Sequence, residues 1–208
     1  METKALIRKR ALTLRDALTE DERKEKSDCI VKKVVETAQY NSAGILFAYV
    51  SCRSEVETEQ IIRKALEEGK EVYCPKVWGE RMDFYRILDE SELCFGYRGI
   101  KEPEAHPGRI FDIKRILQRD KADFERILML MPGSAFDEER NRIGYGKGYY
   151  DKYLREAEKL CREAGFPFVS RLQTVALCFD CQIQQNIPAE SHDWKPELVI
   201  TEGRSFSG

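Results

Sequence analysis

The chain has 208 residues, enough for one α/β domain with a substantial core. Charged residues make up 35% and hydrophobic ones 42%, the balance of a globular fold, and the formal net charge is −2. These values exclude a global basic field for nucleic acid or an anionic membrane, and no apolar run approaches a membrane span or a signal-peptide core. The location expected from this is cytoplasmic, and a monomer is the expected state. Seven cysteines are scattered along the chain, and only Cys178-Phe-Asp-Cys181 forms a C-x-x-C. With His106 and His192 as the two histidines, a zinc site is not expected, and the thiols read as small apolar residues.

In chain order, Ala5, Leu6, Ile7, Ala11, Leu12, Leu14 and Leu18 mark an amphipathic first helix with a basic start. A second begins near Thr19, with Glu22 completing a capping box, and carries Ile30, Val31, Val34 and Val35. Residues 44–50 read as a buried strand. Thr58 is placed to cap a helix bearing Ile61, Ile62, Ala65 and Leu66, closed by Gly69. Residues 72–77 form the next strand, and Met82, Phe84, Arg86 and Leu88 alternate as an edge strand would. Residues 101–112, with Pro103, Pro107 and Gly108, read as a long surface loop. Strands at 127–131, 174–179 and 198–201 complete the series, with a helix after the first of them ending near Gly165. Strand–helix alternation predicts a three-layer α/β fold, a mainly parallel, Rossmann-like sheet with helices on both faces. The whole chain, 1–208, is expected to form one domain with its helical segment 1–40 packed on it.

The densest chemistry lies between the 127–131 strand and the following helix. Gly144, Gly146 and Gly148 alternate there, with Lys147, Arg142 and Asp151 close by. Glycines let a backbone approach a ligand, and amide groups leading into a helix N-terminus cradle phosphate. Lys147 and Arg142 add positive charge, and Asp151 a carboxylate for a phosphate-bound cation. The residues point to a phosphorylated ligand, most simply a nucleotide with magnesium. A P-loop is excluded, because Gly148 replaces the hydroxyl residue and Asn141 stands where the first glycine belongs. A dinucleotide fingerprint fails at Tyr149 or Asp151. The alternative is a glycine-rich turn that only connects strand to helix.

Pro132-Gly133, Phe136-Asp137 and Asn141-Arg-Ile-Gly-Tyr-Gly-Lys-Gly-Tyr-Tyr-Asp151 together resemble the signature of the 5-formyltetrahydrofolate cyclo-ligase family. Weaker pieces occur in register. They are Lys4-x-x-x-Arg8, Glu55-Val-Glu-Thr58, Pro75-Lys-Val77, Ile187-Pro188 and His192-Asp193. Arg140 departs from the family's frequent glycine, Ile143 replaces leucine, and Arg98 stands where some relatives place an aromatic.

The resemblance implies ring closure of 5-formyltetrahydrofolate to 5,10-methenyltetrahydrofolate with ATP as co-substrate and Mg²⁺ as cofactor. It implies that Lys4 and Arg8 contact ATP phosphates, brought in by the first helix. Arg142, Ile143, Gly144, Tyr145, Gly146, Lys147, Gly148, Tyr149 and Tyr150 would wrap the nucleotide. Lys147, with Arg142, would stabilise the transferring phosphoryl, and Asp151 and Asp193 would hold Mg²⁺. Glu55 would face the folate, and Tyr145, Gly146, Lys147, Gly148 and Tyr149 would border it. A sugar-phosphate isomerase, a coenzyme A transferase and a non-catalytic nucleotide or folate binder are the rival readings. The Lys147 and Asp151 pair speaks against a pure binder, since both suit phosphoryl transfer.

Overall fold

The computed structural model describes residues 2–96, 99–113, 126–165 and 171–208. Its centre is a seven-stranded sheet in the order β12-β11-β9-β6-β1-β2-β3. These are β1 (Ala43–Phe47), β2 (Glu71–Trp78), β3 (Arg81–Ile87), β6 (Arg126–Met131), β9 (Leu172–Leu177), β11 (Leu198–Ile200) and β12 (Ser205–Ser207). The five strands from β11 to β2 are parallel, and β3 and β12 close the two edges antiparallel. The expected mainly parallel α/β sheet is therefore present, with Arg81–Ile87 as the expected edge strand.

Period-two alternation sends successive side chains of β1 and β6 to opposite faces. Leu46, Leu128 and Leu130 join one apolar layer, covered by α2 (Glu20–Glu36), α3 (Ala38–Ser42) and α4 (Glu59–Glu67). Phe47, Met129 and Met131 join the other, covered by α5 (Tyr149–Glu163) through Leu154, Ala157 and Cys161. Thr19 and Glu22 form the expected capping box on α2. Thr58 precedes α4, but its hydroxyl donates to Tyr49 O (2.6 Å) and accepts from Ser51 N (3.2 Å) instead of capping the helix. It pins the loop that follows β1.

Helix α1 (Lys4–Asp16) sits apart from both layers. Ile7 and Ala11 pack on Ala135, Ile143 and Ile187 in a third small cluster. Leu6 and Leu14, expected on the apolar face, are 55% and 47% exposed, whereas Arg15 is buried at 4%. The stripe that faces the protein is Ile7, Ala11 and Arg15, spaced by four.

Several expected boundaries move. The first strand ends at Phe47, and the 174–179 strand is shifted to Leu172–Leu177. Short elements carry no readable period, and they were missed. The 101–112 segment contains β5 (Lys101–Pro103), paired with β4 (Leu93–Phe95). The glycine-bearing connection contains a hairpin of β7 (Ala135–Asp137) and β8 (Arg142–Ile143), joined by β10 (Ile183–Gln184).

That hairpin is held by side chains. Asp137 accepts from Asn141 N (2.8 Å), Asn141 Nδ2 (2.9 Å) and Ile187 N (2.9 Å). The Phe-Asp, Asn-Arg and Ile-Pro pieces of the motif thus meet at one carboxylate, and part of the motif is structural. Arg140 adopts the left-handed conformation (φ 67°), where a glycine would be at ease, and donates to Glu197 O at 3.0 Å. Gly133 is required for a steric reason. A Cβ there would collide with the Phe136 ring and lie 3.2 Å from Arg142 Cγ. Gly133→Ala is expected to lower stability by about 1–3 kcal/mol. Denaturant titration checks this, and an unchanged midpoint would show that the hairpin is not tightly packed.

Candidate functional site

The strand order reverses between β1 and β6, so the chain leaves these neighbouring strands toward opposite sides. In such sheets a crevice opens at the carboxyl ends of the two strands, where ligands bind. Here β1 runs on into residues 48–55, and β6 into Pro132-Gly133 and the hairpin. Between them lies a cavity of about 550 Å³. Residues from α1, both post-strand loops, β2, β3 and the start of α5 line it.

One wall is the segment from Arg142 to Asp151. Arg142, only 6% exposed, donates from Nη1 to Pro132 O (3.2 Å) and from Nη2 to Asp151 Oδ1 (2.7 Å). Its Nε is buried without a partner among the described residues. Asp151 Oδ1 also accepts from Trp194 N (2.9 Å). Arg142 therefore ties the end of β6, the hairpin and the first turn of α5 together. Between its two ends the chain turns through Gly146 (φ 95°) and Gly148 (φ 63°), both left-handed. Gly144 has an ordinary φ, but a Cβ there would press on Arg142 Nη1 at 3.2 Å.

Gly148 is the N-cap of the 15-residue helix α5, and no side chain caps it. The first-turn N–H groups and the positive end of the helix dipole are thus left for an anion. Lys147 is exposed, lines the cavity and makes no ion pair among the described residues. Arg8 Nε donates to Gly144 O at 2.8 Å, and its guanidinium lies 3.7 Å from where a Gly146 Cβ would stand. Lys4, one turn earlier, pairs with Asp193 (2.6 Å) and Glu190 (3.0 Å).

The opposite wall carries Glu55. Its Oε2 accepts from Cys52 N (3.0 Å), and its Oε1 accepts from the Tyr145 hydroxyl (2.5 Å). The Tyr145 hydroxyl in turn accepts from Arg15 Nη1 at 2.6 Å. Burial, then the charge of Glu55, push the Tyr145 phenol far above its usual range, so it keeps its proton. Burial and then Glu55 push the Cys52 thiol up to about 12, which makes it a poor nucleophile.

Of the residues singled out from sequence, Glu55, Arg142, Gly144, Tyr145, Lys147, Gly148, Tyr149, Tyr150 and Asp151 line the cavity. Lys4, Arg8, Ile143, Gly146 and Asp193 are not among its lining residues. Ile143 has little left to offer a ligand. Its side chain packs against α1, and its carbonyl accepts from Ser134 N and Oγ, both at 2.7 Å. Tyr150 is part of the core on both sides of the sheet. Tyr149 donates to Gly79 O at 2.8 Å. Arg98 lies outside the described residues. Arg15, Cys52 and Ser54 were not foreseen as site residues. For Arg15 the available signal was its spacing of seven from Arg8 on one helix face.

Mg²⁺ demands oxygen ligands and usually takes one or two carboxylates plus phosphate oxygens and water. No group of three or more ligating side chains occurs among the described residues. Asp151 has one oxygen committed to Arg142 and Trp194 N, with Oδ2 facing Gly148 at 4.0 Å from a Cβ position there. Asp151 and Asp193 match the one or two carboxylates that Mg²⁺ usually takes beside phosphate oxygens and water.

Burial alone would raise the Asp193 carboxyl. The hydrogen bonds from Lys4 and Glu190 N and the Lys4 charge outweigh it and hold the carboxyl below its usual value. A carboxyl depressed in the folded state stabilises above its unfolded pKa of about 3.9, and that contribution is lost as pH falls through the folded value. Asp193→Asn should therefore be less stable than the unaltered protein at neutral pH, by up to about 1 kcal/mol. The difference should shrink as pH falls below the unfolded pKa and vanish once the carboxyl is protonated in the folded state as well. A gap that persists unchanged into strong acid, measured by denaturant unfolding, would contradict the ion pair.

No helix among the described residues is long and apolar enough to cross a membrane. The model of the 5-formyltetrahydrofolate cyclo-ligase family matches residues 1–202. A 5-formyltetrahydrofolate cyclo-ligase from Mus musculus is 31% identical over 191 residues, 89% of this chain and 87% of that protein. The solved structure of an Aquifex aeolicus 5,10-methenyltetrahydrofolate synthetase superposes with a TM-score of 0.74 at 25% identity, covering 98% of this chain and 92% of the other. A 5,10-methenyltetrahydrofolate synthetase from Mycoplasma pneumoniae, 19% identical, shares the fold with a TM-score of 0.69, over 97% of this chain and 99% of its own. With nearly its whole length matched, this chain belongs to the 5-formyltetrahydrofolate cyclo-ligase family.

Proposed function

We propose that this chain closes the formyl group of 5-formyltetrahydrofolate onto N10, producing 5,10-methenyltetrahydrofolate, ADP and phosphate from ATP. One observation carries the reading beyond family membership. An uncapped helix N-terminus with Lys147 and a largely apolar cavity with Glu55 share a single wall, the segment 142–151. A phosphate cradle that opens directly onto an organic cavity suits phosphoryl transfer between two bound molecules.

A formamide oxygen is a poor leaving group, and ATP can make it a good one. The formyl oxygen attacks the γ-phosphorus, an O–P bond forms, and the bond to the β-phosphate oxygen breaks to release ADP. N10 then attacks the formyl carbon and gives up its proton. The carbon–oxygen bond breaks, phosphate leaves with the former formyl oxygen, and the N5–C–N10 bridge remains. No protein nucleophile is needed, and the protein supplies positioning and charge.

In this reading the α5 N-terminus and the Gly144–Gly148 amides hold the phosphates. Lys147 meets the transferring phosphoryl, and Arg8 and Lys4 extend the positive stripe along α1. Arg142 is too buried and too committed to move, and it fixes the loop rather than reaching substrate freely. Glu55 keeps lone pairs to accept hydrogen bonds from pterin N–H groups. Asp151, with Asp193 directly or through water, would hold Mg²⁺, which neutralises phosphate charge when bound. Cavity walls from Tyr49, Pro75, Val77 and Met82 offer an apolar surface for the pterin ring.

Purified protein with 5-formyltetrahydrofolate and magnesium should show a rise in near-ultraviolet absorbance only when ATP is added, with one ADP per product. Lys147→Ala should lower kcat by about 10²–10³-fold. Its melting temperature should barely change, because the side chain is exposed and unpaired. Normal turnover by Lys147→Ala would remove the phosphoryl role. ATP binding without any absorbance change would leave the phosphate cradle but sink the folate assignment.

A further inference from the structure

Tyr145 is the single residue of the glycine-rich segment that reaches across the cavity to the Glu55 wall. It stands between Gly144 and Gly146, and as a whole residue it is 44% exposed. It is therefore not held by apolar packing. Its hydroxyl end is the anchor, accepting from Arg15 Nη1 at 2.6 Å and donating to Glu55 Oε1 at 2.5 Å. A phenol has one proton to give, and here that proton goes to Glu55.

Arg15 has the burial of a core residue (4% exposed), and its Nε donates to Ser54 Oγ at 3.0 Å, one residue before Glu55. The Ser54 hydroxyl in turn donates to Asp16 Oδ1, on the next residue of α1. Cys52 N closes the turn by donating to Glu55 Oε2. The guanidinium also lies 5.7 Å from the centre of the Tyr145 ring. A cation with charge-assisted hydrogen bonds to both the 54–55 loop and the glycine loop is an expensive thing to bury. It has a purpose if the two loops must keep step.

We propose that Arg15 and Tyr145 form a positioning relay that couples the two substrate sites. When a nucleotide settles the Gly144–Gly148 segment, the Tyr145 hydroxyl is fixed, and with it the Glu55 carboxylate that a pterin meets. By reciprocity, a folate that orients Glu55 settles the glycine segment for the nucleotide. Beside Tyr145 the backbone turns through Gly146, in the left-handed region. The rigid part of the relay is the Arg15–Ser54–Asp16 brace. This inference rests on the two-substrate reading of the preceding subsection and adds the coupling between the sites.

The test is calorimetric titration of a non-hydrolysable ATP analogue with Mg²⁺, with and without saturating 5-formyltetrahydrofolate, in the unaltered protein and in Tyr145→Phe. The unaltered protein should bind the analogue at least about fivefold more tightly when folate is present. The reverse titration should give the same factor. In Tyr145→Phe, which removes a single oxygen, the factor should fall to about one. Arg15→Lys keeps the charge but loses the fork, and it should reduce the factor as well. A coupling factor that survives in Tyr145→Phe overturns the relay. So does a variant that melts earlier but keeps the factor, since that would make the pair a structural brace. If both ligands bind the unaltered protein independently, the relay alone falls. If 5-formyltetrahydrofolate does not bind at all, the functional reading falls with it.

Discussion

The Arg142 guanidinium is almost wholly removed from water, and three parts of the molecule meet on it. The Pro132 carbonyl takes Nη1 and the Asp151 carboxylate takes Nη2 of this buried cation, so these two groups have little freedom to be elsewhere. One lies at the end of β6, the other in the first turn of α5. The distance between them fixes how the intervening segment must turn, and Gly146 and Gly148 supply the left-handed residues that such a turn needs. A lysine at this position would keep the charge without the planar fork that reaches both partners. The same bond divides Asp151, committing Oδ1 to Arg142 and Trp194 N and leaving Oδ2 outside that pairing. The course of the glycine-rich segment thus follows from one buried ion pair at the switch point of the sheet.

Helix α1 completes the site from outside the sheet. Its apolar contribution is small, Ile7 and Ala11 on the hairpin. Its polar contribution is a row of cations along one face. Lys4 binds Asp193, Arg8 binds the Gly144 carbonyl, and Arg15 reaches Ser54 and Tyr145. The helix therefore borders the nucleotide loop and the Glu55 loop together. Its position is held by charged hydrogen bonds as well as by the packing of Ile7 and Ala11.

Elements buried on both faces were legible in the sequence, because β1 and β6 are near-continuous apolar runs. The capping box at Thr19 and the glycine after α4 worked for equally local reasons. The hairpin of β7 and β8 was not legible. Strands of two or three residues have no period, and this pair is held by Asp137 bonding to Asn141 and to Ile187, fifty positions away. The register of α1 was misjudged on its leucines, since Leu6 and Leu14 face outward while Arg15 faces inward. The partners that make burial of Arg15 favourable lie 39 and 130 positions away, where no helical pattern can announce them. The glycine loop and its lysine were visible because local composition alone marks a backbone made to approach a ligand. What that loop touches across the cavity was not. Arg140 illustrates a departure that the fold absorbs, since its left-handed backbone is offset by hydrogen bonds to Pro196 and Glu197.

The proposed function turns on one chemical event, transfer of a phosphoryl group to the formyl oxygen at the boundary between the glycine-rich loop and the cavity. The most direct test labels that oxygen. 5-Formyltetrahydrofolate carrying ¹⁸O in the formyl group would be turned over once with ATP and magnesium, and the released phosphate analysed by mass. Recovery of the label in inorganic phosphate is the expected result. Label found in water instead, with unlabelled phosphate, would mean that the formyl oxygen never meets the γ-phosphorus and that the cradle serves some other step.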